Sequence, residues 1–424
     1  MKAILLLVVF LTIIITSYSQ VNIEWASFYN GPASAGSANA IAVDNSGNVY
    51  VTGKSDGGAT DYDIATVKYN SNGAQVWAAR YNGVQGDGWD EGFAIAVDNS
   101  GNVYVCGTAS ESDLNYNFCT VKYNSAGVQQ WVRIIDGGAH SDDFAFALAA
   151  DNSGNVYVTG YISQSGGAYN MCTVKYNSAG NPDWTIYYGG PANIRAIAFG
   201  IKLDGSGNVY VGGECQSITT ASDYFVAKYS NGGTVQWIKL YIGISNDFVH
   251  GFDVDNSGNS YITGESSFDY CTVKLKPNGD SVWVRRYDGP EHGGDQPFSV
   301  AADPFGNAIV TGVSFDILGN TSAMATVKYD TAGVQKWVNR YSGTTGFAVS
   351  FAVVTDQTGN SYITGRDFSS CTIKYNPAGV QQWVKNTDSI STARGIAADI
   401  QIALDVERQP ISGVPRGRRT LRAL

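Results

Sequence analysis

The sequence predicts an all-β protein made of one unit repeated around an axis, and three observations carry that expectation. The string Asp-Asn-Ser-Gly-Asn, or a close variant, starts at Asp44, Asp98, Asp151, Asp204, Asp255, Asp303 and Asp356, at intervals of 48 to 54 residues. A tryptophan follows each copy at a matching place: Trp77, Trp131, Trp184, Trp237, Trp283, Trp337 and Trp383. Between these marks lie short runs rich in Val, Tyr and Thr, bounded by Asn, Ser, Asp and Gly, which is the composition of strands joined by tight turns. The chain of 424 residues holds 50 glycines and only 15% charged residues. Charge that sparse excludes a coiled coil, and 50 glycines with 10 prolines are too few for collagen.

The elements follow in chain order. Residues 1–19 read as a cleaved export signal: Lys2 gives a positive start, residues 3–15 are apolar apart from Thr12, and Ser17 and Ser19 precede a cut ahead of Gln20. That apolar run is short of the ~20 residues needed to span a bilayer. A secreted or cell-envelope protein is therefore expected, with no transmembrane span once the signal is removed. From residue 20 to 399 each unit supplies four strands, in the first copy near 40–43, 48–53, 65–69 and around Trp77. Four antiparallel strands in about 50 residues, repeated radially, is the pattern of a β-propeller. Val49, Tyr50 and Val51 are apolar on both strand faces, as a blade covered by two neighbours requires. Seven complete blades are expected. Residues 25–30 repeat the tryptophan strand and 393–399 repeat the first strand, so the alternative is eight blades with a composite or incomplete closing one. After Asp399 no Ser-Gly-Asn turn follows, and Arg416, Arg418, Arg419 and Arg422 make 400–424 read as an irregular basic tail.

The segments DNSGNVYVTG (44–53), TVKYNSNG (66–73) and the run from Trp77 to Gly83 resemble the SBBP repeat, the β-propeller repeat of secreted bacterial proteins, and the resemblance covers roughly 22–399. It implies an exported propeller, often one module of a larger surface protein. It implies no enzymatic activity, because that family carries no shared catalytic residues.

The residues that bear chemistry point mostly to structure. The Asp-rich turn offers oxygen ligands to calcium but lacks the spacing and the distal glutamate of an EF-hand loop, so no cofactor is expected and calcium is the one ion the pattern leaves open. Cys119, Cys172, Cys271 and Cys371 occupy one strand position and read as buried free thiols. Cys106 falls opposite Cys119 if their hairpin is symmetric, which leaves one cross-strand disulfide open. Seven lysines from Lys68 to Lys374 also share one position and read as structural.

The loops between units, and those between second and third strands, emerge on one face of a propeller. They contain 21 Asp or Glu against Lys54, Arg195 and Arg366. The densest groups are Asp87, Asp90 and Glu91; His140 with Asp142 and Asp143; and Glu291, His292 and Asp295. These nine are the candidate ligand-binding residues. No Ser-His-Asp motif supports a hydrolase, and no catalytic residue is assigned. The net charge of −10, one more negative without Lys2, argues against nucleic acid. The leading reading is an exported, non-enzymatic binding or scaffold module whose acidic face meets a protein, a glycan or a cation-bridged partner. The alternative is a carbohydrate-active hydrolase or lyase using a carboxylate pair on that face.

Overall fold

The computed structural model describes residues 24–386 apart from 30, 34, 59–60, 84–87, 113–114, 140, 218–221 and 244–245, together with 391–397, 402–407 and 420–423. The expected export signal lies outside the described residues. Seven four-stranded antiparallel sheets follow one another along the chain, each with its strands in sequence order. In blade 1 the strands are Gly36–Val43, Val49–Asp56, Tyr62–Tyr69 and Gln75–Tyr81. Blades 2 to 7 span 91–135, 144–188, 196–241, 247–287, 295–341 and 348–386. The first strands touch their counterparts in neighbouring blades and so form the ring around the axis.

An eighth sheet closes that ring. It is built from Trp25–Phe28, Thr420–Ala423, Ile402–Glu407 and Ser391–Ala397, in that order. Ser391–Ala397 contacts the first strands of both blade 7 and blade 1. The seven expected blades are present, and the closing sheet is composite, combining the two chain ends. Residues 402–407 and 420–423 correct the expectation of a wholly irregular tail. They form strands without the Ser-Gly-Asn turn because an antiparallel pairing needs only register, and any connection of sufficient length supplies it.

The repeated residues lock each turn and each blade junction. Asp44 Oδ1 accepts hydrogen bonds from the Ser46 and Asn48 main-chain N–H groups at 2.9 Å, and Oδ2 accepts from Asn48 Nδ2 at 2.8 Å and the Tyr50 hydroxyl at 2.9 Å. With two donors on each oxygen, the turn satisfies its own aspartate. The tryptophan works between blades. Trp131 in blade 2 donates from Nε1 to the Ser178 carbonyl of blade 3 at 3.3 Å and lies over Gly180, where a β-carbon would meet its ring at 2.7 Å. Trp25 donates in the same way to the Ser71 carbonyl at 2.9 Å, so the closing sheet docks on blade 1 by the same joint. The lysine of the third strand is structural: Lys122 Nζ sits 5.1 Å from the Tyr104 ring centroid and donates to the Ser178 carbonyl at 2.9 Å.

All six cysteines are buried and free. The open disulfide is corrected by register: Cys106 pairs with Thr120 and Cys119 with Gly107. A hairpin offset of one residue puts the two thiols on opposite faces of the sheet.

Candidate functional site

The structure places the expected acidic groups in two different situations. Asp90, Asp143 and Asp295 are wholly buried. Asp143 Oδ1 accepts from the Ser163 N–H and Oδ2 from the Gly137 N–H, both at 2.6 Å. Asp90 does the same with Ser110 at 2.7 Å and Gly83 at 2.5 Å, and Asp295 accepts from the Gly289 N–H. Each of the three also donates its own main-chain N–H to the previous blade, to the carbonyls of Tyr62, Tyr116 and Phe268 respectively. These carboxyls are staples between consecutive blades, and their glycine partners admit no side chain: a β-carbon on Gly137 would meet the Ser163 carbonyl oxygen at 2.2 Å. Burial pushes the Asp90 and Asp143 carboxyls up to about 6 against the pull of their N–H donors, and raises Asp295 as well. The expectation that these three present charge to a ligand is corrected. Among the described residues, eight of the loop acids are buried, the others being Asp63, Glu214, Asp223, Asp247 and Asp367.

The remaining candidates are more accessible but mostly paired. Glu91 binds Lys54 at 2.8 Å, Asn39 Nδ2 at 2.7 Å and Trp89 Nε1 at 3.0 Å. Burial works to raise its carboxyl, yet these donors and the Lys54 charge hold it below the usual carboxylate range. Lys54 Nζ lies 3.8 Å from the centroid of Trp89. Asp142 is half-buried and its main-chain carbonyl accepts from the Ser163 hydroxyl. Glu291 pairs with Arg340. His292 is exposed and pairs through Nδ1 with Asp288 at 2.6 Å rather than with Asp295, and that hydrogen bond and the Asp288 charge raise its pKa. Oxygens of Asp269, Asp288 and Asp295 come within 4.8 Å of one another. Asp87 and His140 lie outside the described residues.

Two features that sequence reasoning missed are on the axis and on the loop face. Every first strand carries a β-bulge, and the extra residue stands five positions before the turn aspartate: Asn39, Phe93, Phe146, Phe199, His250, Phe298 and Phe351. Arg394 occupies the same position in the closing sheet. A bulge re-aims its side chain out of the ladder. Here the aromatic rings meet from blade to blade around the axis, with centroids 5.9 Å apart for Phe93–Phe146, 5.4 Å for Phe146–Phe199, 5.6 Å for His250–Phe298 and 5.7 Å for Phe298–Phe351. The channel contains a cavity of about 490 Å³ lined by residues including Asn39, Lys202, Phe252, Asp253, Val353 and Ile396. Desolvation lowers the pKa of His250.

The loop face carries exposed apolar side chains, among them Trp89, Phe268, Ile317, Leu318, Phe347 and Phe368. Phe268 and Phe368 are 74% and 62% exposed at the tips of second-to-third-strand hairpins, with φ of 67° and 57°. A bulky aromatic residue is disfavoured in that left-handed region. Neither packing nor backbone preference accounts for phenylalanine at these tips.

A β-propeller with a bulge-lined axis and an apolar loop face is the class of protein these features define. The β-propeller repeat model SBBP matches residues 33–58, 81–115, 130–165 and 236–270. The chain thus carries repeats similar to the SBBP β-propeller repeat in those four segments. An uncharacterized WD repeat-containing protein of Acanthamoeba polyphaga mimivirus is 23% identical, with 72% of this chain and 26% of that protein covered, so the chain spans about a quarter of that relative's length. Among solved structures, BamB from Moraxella catarrhalis is similar at 15% identity and a TM-score of 0.52, covering 94% of this chain and 96% of that one. Sqt1 from Chaetomium thermophilum is similar at 10% identity and a TM-score of 0.57, covering 95% and 99%. At these identities the likeness is one of fold alone.

Proposed function

We propose that this protein is an exported, non-enzymatic binding module that receives a protein partner on its loop face, outside the bacterial cytoplasm. The observation that carries the reading is the pair Phe268 and Phe368, two exposed rings held at hairpin tips in a backbone conformation that penalises them. Strain of about 1–3 kcal/mol kept at an exposed position is a mark of function rather than of folding. Apolar rings projecting from a rigid scaffold suit the side chains of a protein partner better than a hydrated glycan. Among the described residues no helix is long and apolar enough to cross a membrane. Because eight loop acids are buried, association depends less on salt than a face bearing all 21 as surface charge requires.

The test compares three preparations of the mature protein immobilised against an extract of the cell envelope and medium. One is unaltered, one carries Phe268→Ser, Leu318→Ser and Phe368→Ser on the loop face, and one carries Val128→Ser, Phe305→Ser and Val380→Ser elsewhere on the surface. A partner retained by the first and third and lost at least 10-fold from the second supports the reading. Equal retention by all three, or loss only from the third, overturns it.

A further inference from the structure

The residue two places before each turn aspartate holds one register position in the first strands, and in blades 4 to 7 it lines the channel cavity. It is Ala42, Ala96, Ala149, Ala301 or Val354 in blades 1, 2, 3, 6 and 7, and Ala397 in the closing sheet. In blades 4 and 5 alone it is charged, as Lys202 and Asp253, which meet at 2.9 Å and line the cavity of about 490 Å³. In blade 5 the bulge position also departs from phenylalanine, to His250. The repeat itself does not demand these changes, since six of the eight units carry alanine or valine at this position.

The donors and acceptors of the pair are unevenly used. Asp253 Oδ1 takes Lys202, and Oδ2 takes the Ala302 N–H at 2.8 Å, so both carboxylate oxygens are engaged. Lys202 has three N–H donors and one described partner, and its side chain is 51% exposed toward the channel. The free capacity at this wall is thus cationic and donating, beside an apolar surface that includes Phe252, Val353 and Ile396. A cavity of this volume lies in the range that holds a small organic molecule.

We propose that the central channel is a binding site for a small amphipathic anion, with its apolar body against the first strands and its carboxylate- or sulfonate-type head on Lys202. This site is separate from the loop face and does not depend on a protein partner. Asp253 orients the lysine and moderates the affinity by competing with the ligand head. The Asp253 charge also keeps Lys202 protonated.

The experiment uses the mature protein and two fluorescent probes, anilinonaphthalene sulfonate and its uncharged counterpart N-phenylnaphthylamine, followed by fluorescence titration. The anionic probe binds at one site per chain. Lys202→Met weakens it roughly 10-fold or more, the loss expected for a hydrogen bond to a charged group. Asp253→Asn, which keeps an acceptor for Ala302 and removes the competing charge, strengthens it. Neither variant alters the neutral probe, whereas Val354→Trp, at the same register position on the cavity wall, blocks both. Absence of binding, equal affinity across the charge variants, or an anionic probe that still binds Val354→Trp overturns the proposal. If Val354→Trp fails to fold, the opposite shifts of the two charge variants decide the matter alone.

Discussion

Replacing Asp143 by alanine separates a staple from a surface charge. The side chain is wholly buried, and its two oxygens accept the Ser163 and Gly137 N–H groups at 2.6 Å. Alanine removes both acceptors and leaves two main-chain donors in blade 3 and at its junction with blade 2 without partners. An unsatisfied buried donor costs about 1–3 kcal/mol, so Asp143→Ala is expected to cost about 3–5 kcal/mol. Asparagine restores one acceptor but turns an amide donor toward the other N–H, and falls between. Asp142 stands one residue away, half-buried, with only its main-chain carbonyl engaged, so Asp142→Ala stays within about 0.5 kcal/mol. Urea unfolding followed by tryptophan fluorescence reads the difference as a midpoint lower by on the order of 1 M for Asp143→Ala. Equal midpoints for the two alanine variants would refute the staple and restore Asp143 to the surface.

Other expectations follow from the same structure. Gly180→Ala loses at least about 2 kcal/mol in urea, because φ is +81° and the new methyl meets the Trp131 ring at 2.7 Å; Gly58→Ala, at φ +79° with its nearest neighbour at 3.8 Å, loses only the backbone term of about 1–2 kcal/mol. Phe268→Gly relieves a φ of +67° and raises the unfolding midpoint by the equivalent of about 1 kcal/mol while weakening partner capture. Burial pushes the Cys271 thiol up to about 11, and Cys172 is likewise buried, so thiol reagents label these residues in denaturant and leave them unlabelled natively over the same interval. Asp90 and Asp143, raised to about 6, bind protons in the folded state that the unfolded chain releases near 4, so their contribution to stability falls as pH rises from about 4 to 6. The turn residues Asp44, Asp151, Asp204 and Asp356 are buried in part but held low by their donors, Asp356 at about 2, and their contribution is lost as pH falls below about 4. The thermal midpoint is therefore higher at pH 5 than at pH 7.5 and drops steeply toward pH 2.

The repeat was legible because its residues act locally. The turn aspartate binds main-chain groups two and four residues onward, and the tryptophan meets a glycine of the next copy, so both appear at fixed spacing. The closing sheet was only half legible. Residues 25–30 and 393–399 copy repeat strands, but 402–407 and 420–423 carry no turn signal and are specified by pairing alone. The staple carboxyls were visible as acids and misread as surface charge, because their distance from the paired glycine varies from Gly83–Asp90 to Gly243–Asp247 while the contact is the same. The bulge aromatics did carry a signal, five positions before the turn aspartate. It was missed because a strand read as strictly alternating has no place for an unpaired residue. Phe268 and Phe368 had none, since their meaning lies in a positive φ that composition does not reveal.

Contact between a partner and the loop face is read by placing a photo-cross-linking phenylalanine analogue at single positions in the native cell. Phe268 is 74% exposed on the loop face, and Phe305 is 62% exposed in a tight turn on the opposite face, so accessibility alone does not distinguish them. A discrete adduct is expected from position 268 and none from position 305. An adduct from position 305 with none from position 268 would contradict a partner on the loop face.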